Sequence, residues 1–287
     1  MAETKSSGAR IAARLSRVKG FVIDLDGTMV LGDRRNKGLK PLPGAPQFLA
    51  HLRARGIPFV LFTNGTVRPP HDYIDELKHA GIEIEAKHIM TPSTVAAEYL
   101  SAKGYRRVMA LGGEGVGGPL TKAGLEVVRP PERDAVDAIY VGWFREFRME
   151  DIEAACEAVW SGAKVFSASL VPYFATSDGR TFGTSCAIAG AIDKITGSRT
   201  RALGKPAPEA MRVAARRLGV AAKDVAVIGD DPKLEIPMAL RAGALAIGVM
   251  SGVAKQKEFD APPRPQRAHL VAENIGQVLD LWRRHSG

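Results

Sequence analysis

Phe21-Val22-Ile23-Asp24-Leu25-Asp26-Gly27-Thr28 decides how the chain is read. Three strand-forming residues run into two carboxylates, a glycine and a threonine. A short apolar run that stops at a glycine turn reads as a buried strand. Side chains two apart on a strand share a face. Asp24 and Asp26 should therefore project together from the strand's C-terminal end, where open α/β sheets place their ligands. Two carboxylates that close do not both ionise freely. They need a cation, or one of them must hold a proton. One is then a nucleophile or metal ligand and the other an acid–base group. The plainer alternative is a strand-to-turn junction, where Asp and Gly are common anyway.

The 287 residues can bury one large core or two modest ones. Apolar content of 45% and charged content of 25% are those of a water-soluble globular protein. No apolar run reaches the ~18 residues of a membrane span, so no membrane partner is expected. The Ala-, Ser- and Arg-rich start lacks the apolar core of a secretory signal and reads as a flexible tail over residues 1–17. Cys156 and Cys186 are too few for a disulfide scaffold and read as buried thiols in the cytoplasm. The net charge of +9 permits nucleic-acid binding. However, aromatics are only 6% and interleave with no basic run, so no nucleic-acid partner is expected. Attraction of small phosphorylated anions uses the same charge more economically.

Strand and helix patterns alternate from end to end. A helix opened by Pro43-Gly44 leads to the apolar strand Phe59–Phe62, which ends in Thr63-Asn64-Gly65. Further strands are expected near residues 107–111, 125–128, 138–141, 164–168, 225–228 and 245–249. The fold class is therefore α/β, a doubly wound parallel sheet of Rossmann-like type. Gly113, Gly115 and Gly118 match the dinucleotide pattern G-x-G-x-x-G. Pro119 follows at once and no acidic strand end appears at the right distance, so the run reads as a plain β–α turn. Ser169–Ser185 reads as an irregular loop.

Four strand ends carry polar groups: Asp24 and Asp26, Thr63 and Asn64, Lys205 before a helix, and Asp230 with Asp231. A doubly wound sheet gathers such ends on one edge. Asp24, Asp230 and a backbone carbonyl near Asp26 offer oxygens to a hard cation, for which Mg²⁺ is the natural candidate. The Thr63 hydroxyl, the backbone N–H groups after it and Lys205 suit phosphoryl oxygens.

With DLDGT at 24–28, TNG at 63–65, GKP around Lys205 and GDD ending at Asp231, the chain resembles the haloacid dehalogenase superfamily of phosphotransferases. The resemblance implies Asp24 as nucleophile through an aspartyl-phosphate, and Asp26 as acid–base and metal neighbour. It implies Thr63, Asn64, Gly65 and Lys205 around the phosphate, and Asp24, Asp26 and Asp230 at Mg²⁺. Asp231 and Glu235 would stand behind the metal, with Glu235 where Asp is usual. Members that cleave carbon–halogen bonds lack the second Asp, so phosphoryl transfer is implied.

Thr63 follows Asp24 by 39 positions and Lys205 follows Thr63 by 142. A cap fits only in the second interval. That layout resembles the NagD-like class with a C2-type α/β cap. The expected division is a catalytic core of 18–90 and 200–287 with a cap of 91–199. In that class a cap loop selects the substrate, here 169–183 with Asp178 and Arg180, and a homodimer is possible. The implied activity is hydrolysis of a small phosphorylated metabolite: a sugar phosphate, glycerol phosphate or nucleotide. A phosphomutase, or a non-catalytic phosphate-binding module on the same fold, is the alternative.

Overall fold

The computed structural model describes residues 11, 13–32, 38–176 and 179–284, with the backbone alone at 174–176 and 179–181. The chain divides into two compact units. One comprises 1–63, 74–89 and 214–287; the other comprises 64–73 and 90–213. Each is built on its own parallel sheet.

The first unit holds a six-stranded sheet. Gly20–Asp24 runs down its centre, between Phe59–Phe62 on one side and Val225–Gly229 on the other. Leu245–Val249 and Leu270–Ala272 extend one flank, and Ile89–Met90 closes the other. The central strands are buried throughout, as continuous apolar runs in a parallel sheet should be. Register fixes the geometry of the ends. Asp24 lies beside Phe62, and Ile23 beside Ile228. Thr63 and Asp230 therefore leave the sheet at the level where the central strand stops. Below the sheet, Phe21 packs against Phe48 and Trp282 at ring separations of 5.4 and 5.3 Å. This locks the helices Ala45–Ala54 and Ile275–Arg284 onto the central strand.

The second unit holds a five-stranded sheet. Its strand order is Arg201–Ala202, Lys164–Ser167, Ala138–Val141, Arg107–Leu111 and Glu126–Val128, again all parallel. The helix Pro92–Ala102 enters it through Thr91, whose hydroxyl accepts the Thr94 N–H. The helix Thr184–Thr196 stops at Gly197, held at φ +72°.

Four expectations need correction. The tail expected over 1–17 is packed where it is described, with Ile11 and Leu15 buried just ahead of Val18. The apolar spacing of those residues is that of a helix face. The stretch expected to be irregular forms an antiparallel hairpin, Tyr173–Thr176 with Gly179–Phe182. Asp178 lies outside the described residues, and Arg180 is placed by its backbone opposite Ala175. The glycine run is not a turn, because the helix begins inside it, spanning Glu114–Lys122 with Gly113 as its cap. A side chain at Gly115 would put its Cβ 2.4 Å from the Thr66 carbonyl oxygen, so this glycine lets two backbones touch. Finally, Cys156 is buried but Cys186 is half-buried; both are free, and burial pushes both thiols up.

Candidate active site

The first unit concentrates carboxylates at one sheet end. The strand stops at Asp24, which is buried. Asp26 lies two residues beyond, in the turn closed by Gly27 at φ +87°. The two carboxylates are held by different hydroxyls. Thr28 Oγ1 donates to Asp24 Oδ2 at 3.1 Å, and Thr63 Oγ1 donates to Asp26 Oδ2 at 2.8 Å. Thr63 is fully buried, so its bond is shielded from water. The adjoining strand thereby fixes the orientation of Asp26. The other oxygen of Asp26, Oδ1, is buried and has no hydrogen-bond partner among the described residues. Such an oxygen calls for a proton, a cation or a ligand donor.

Asp230 comes from the strand on the opposite side. Its Oδ2 accepts the Val253 N–H at 2.8 Å. The same loop ties back to the nucleophile turn, where Ser251 Oγ donates to the Gly27 carbonyl at 2.7 Å. Space around Asp230 is tight. A Cβ at Gly252 would lie 1.9 Å from Asp230 Oδ2, and one at Gly27 would lie 2.4 Å from it. Asp231 turns away, its carboxylate accepting the Lys233 N–H at 2.7 Å. Glu235 is buried, and its Oε2 accepts the Asp231 N–H at 3.1 Å. It braces the loop that carries Asp230.

Among the described residues, no group of three or more His, Cys, Asp or Glu side chains is arranged to hold a metal ion. A set of two carboxylates, Asp24 and Asp230, with the Asp26 carbonyl falls outside that description. All its donors are oxygens, and Asp26 carries in addition the buried, unsatisfied Oδ1. The donor chemistry fits a hard cation such as Mg²⁺.

The remaining expected residues belong to the second unit. The Lys205 N–H donates to Asn64 Oδ1 at 3.2 Å, which joins the segment after Thr63 to the GKP turn. Lys205 itself is buried. Gly65 follows Asn64 in the same segment. Thr28 and the 251–253 loop were not read from the sequence as site elements. The signal was there in Met250-Ser251-Gly252, small and polar residues directly after the strand Leu245–Val249.

Comparison with known proteins places these residues in context. Residues 21–126 match the profile of the haloacid dehalogenase-like hydrolases, and residues 202–278 match a second haloacid-dehalogenase-hydrolase-like profile. An acid sugar phosphatase from Staphylococcus haemolyticus is 31% identical over 246 residues, covering 85% of this chain and 90% of that protein. The structure of NagD from Escherichia coli K-12 superposes with a TM-score of 0.80 at 23% identity, covering 91% of this chain and 98% of that one. A glycerol phosphate phosphatase from Mycobacterium tuberculosis, solved in complex with calcium, superposes with a TM-score of 0.79 at 27% identity, covering 93% of this chain and 76% of that one.

Proposed function

The chain belongs to the haloacid dehalogenase-like hydrolase family, and we propose that it is a NagD-like phosphatase that hydrolyses small phosphate monoesters through a phosphoryl group carried on Asp24. The observation that carries this reading is the bond from Thr63 Oγ1 to Asp26 Oδ2 at 2.8 Å. It fixes a second carboxyl group two residues beyond the end of the strand that carries Asp24. A phosphatase of this kind needs a nucleophile and an acid–base group held separately, and the separate hydroxyl bonds to Asp24 and Asp26 support that assignment.

In this reading an oxygen of Asp24 attacks phosphorus and the ester oxygen leaves. Asp26, its orientation set by Thr63, gives that oxygen a proton. It then takes one from the water that hydrolyses the acyl phosphate. Lys205, Asn64, Gly65 and the Thr63 backbone bind the phosphoryl oxygens. Asp24, Asp230 and the Asp26 carbonyl would hold Mg²⁺, and Glu235 and Asp231 would keep Asp230 in place. The bound cation would neutralise charge on the transferring group.

The substrate class proposed is a small phosphorylated metabolite. The relatives named for sugar phosphate and glycerol phosphate support the first compounds to try. Arg180 and Asp178 remain the proposed substrate contacts of the cap. The proposed setting is the cytoplasm, in keeping with two free cysteines. Among the described residues no helix is long and apolar enough to cross a membrane.

The test is phosphate release from a hexose phosphate, glycerol 3-phosphate, a nucleoside monophosphate and p-nitrophenyl phosphate. Each is assayed with Mg²⁺ and with chelator, for the wild type and Asp24→Asn. The asparagine retains an oxygen for the Thr28 hydroxyl, so the turn should hold. Release should require the metal and fall at least ~10³-fold in the variant. Chelator-insensitive release that Asp24→Asn retains would overturn the mechanism.

A further inference from the structure

The second unit contains a pocket of about 560 Å³ that plays no part in the site above. That volume is within the usual range for small-molecule sites, roughly 300–1,000 Å³. Its position is unusual. Gly162 and Lys164 lie at the start of one strand, Tyr105 precedes another, and Gly197 and Arg199 precede a third. The pocket therefore opens at the N-terminal ends of the parallel strands. Lys205 follows the C-terminal end of a strand of the same sheet, Arg201–Ala202, where Gly204 N–H donates to the Ala168 carbonyl. Ligands of open α/β sheets gather at the C-terminal ends. This cavity is at the other end of its sheet.

Its wall is aromatic. Tyr99 and Tyr105 each meet Phe166 edge-on, with ring centroids 5.7 Å apart in both pairs. Burial pushes the Tyr105 hydroxyl upward, so it stays neutral. The rim is cationic. Arg201 is already engaged: it stacks on Tyr99 at 5.4 Å and pairs with buried Glu209. Lys164 and Arg199 are exposed, and neither has an acidic partner among the described residues. Among the described residues no acidic side chain lines the cavity. The carboxylate of nearby Asp137 is taken by the backbone N–H groups of Arg106 and Arg107, at 2.7 and 2.9 Å. The loop that presents Arg199 is rigid. Asp193 Oδ1 accepts from Ser198 Oγ at 2.7 Å and from Thr200 Oγ1 at 2.9 Å. These bonds tie down the residues on either side of Arg199.

We propose that this pocket is a second ligand site, which takes a small molecule carrying both an aromatic ring and a phosphate, of the class of a nucleoside monophosphate. The ring packs against Tyr99 and Tyr105, as bases stack on aromatic side chains. The phosphate meets Lys164 and Arg199 through charge-assisted hydrogen bonds. The site stands independently of the catalytic reading.

The test is calorimetric titration of the full chain in chelator with four probes: AMP, adenosine, ribose 5-phosphate and inorganic phosphate. The proteins are the wild type, Asp24→Asn and the double variant Lys164→Ala/Arg199→Ala. Both cations are exposed, so the double variant should fold, and its melting temperature and p-nitrophenyl phosphate turnover should match the wild type. AMP should bind wild type and Asp24→Asn alike, and at least about tenfold more weakly to the double variant. Adenosine and ribose 5-phosphate should each bind less tightly than AMP. Equal AMP affinity in the double variant, or no AMP binding by the wild type, overturns the site. Ribose 5-phosphate binding as well as AMP overturns the aromatic half of the assignment.

Discussion

The two units use the same kind of sheet for different ends. Both are parallel, both are flanked by helices, and both bury their strands. At the C-terminal ends of the first sheet the chain places Asp24, Thr63 and Asp230, and ties them by hydroxyl and backbone bonds. At the corresponding ends of the second sheet it places Gly112, Gly142, Ala168 and Leu203. None of those carries a polar side chain, and Gly112 and Gly142 leave room for the Val116 side chain, which a Cβ at either would strike at 2.3 or 2.2 Å. The difference teaches that a parallel sheet supplies only an address; the chemistry depends on which side chains the chain puts there. It also yields a contrast that substitutions can probe, because a tight glycine in the first unit guards a carboxylate and one in the second guards packing.

Gly252→Ala should have the largest effect. The new Cβ would fall 1.9 Å from Asp230 Oδ2, so the carboxylate must move. A displacement of about 1 Å at such a group costs on the order of 10²-fold in rate. Turnover should fall by about that factor, while hydrogen exchange in 90–213 stays as in the wild type. Wild-type turnover in Gly252→Ala would show that Asp230 does not need its present position.

Gly115→Ala is the matched test in the other unit. Its Cβ would lie 2.4 Å from the Thr66 oxygen and 2.6 Å from the Arg68 nitrogen. Backbone cannot step aside as a side-chain tip can, so the cost is that of overpacking, about 1–3 kcal/mol. Denaturant melts should show it as lost stability. If Gly115→Ala instead left stability untouched, the helix Glu114–Lys122 would have room that the present packing denies it.

Thr63→Val sharpens the first half of the contrast. Valine keeps the shape but loses the hydroxyl that orients Asp26. The rate constant should drop about tenfold, the effect of about 1.4 kcal/mol at the transition state. Thr63→Ser should restore most of it. A stability loss with unchanged turnover would make Thr63 a packing residue only.

The sequence made the first unit more legible than the second, for physical reasons. Asp24, Thr63 and Asp230 each end an uninterrupted apolar run, and a buried parallel strand cannot hide such a run. Their grouping then follows from register alone. The edge strands Ile89–Met90, Arg201–Ala202 and Leu270–Ala272 escaped notice because two or three residues carry no period; their neighbours impose the pairing. The strand pair Tyr173–Thr176 and Gly179–Phe182 was missed because each is only four residues long. The helix that begins at Glu114 was hidden by its glycines, which a tertiary contact demands and local propensity disfavours. The pocket on the second sheet had no signal at all, since Tyr99, Phe166 and Arg199 are far apart in the chain.

Acid should separate the units with the smallest effect of all. His51, His88 and His269 all belong to the first unit. Burial holds each below its usual pKa of 6.5, and nearby arginines push His51 and His269 the same way. A histidine whose folded pKa is depressed binds more protons when unfolded. Its stabilising contribution is complete above pH 6.5 and is lost as pH falls from there towards the folded value. In the second unit, Asp137 is held below 3.8 by the Arg107 and Arg106 backbone N–H groups. Its contribution persists above 3.8 and is lost only as pH falls below that. Between pH 7 and 5 the first unit should therefore lose protection and the second should keep it. Hydrogen exchange by mass spectrometry at fixed temperature, corrected for the intrinsic pH dependence of exchange, reads both units in one sample. Equal loss in the two units over that range would mean that they open as one cooperative body, and that the histidines destabilise the whole chain rather than the sheet that carries the carboxylates.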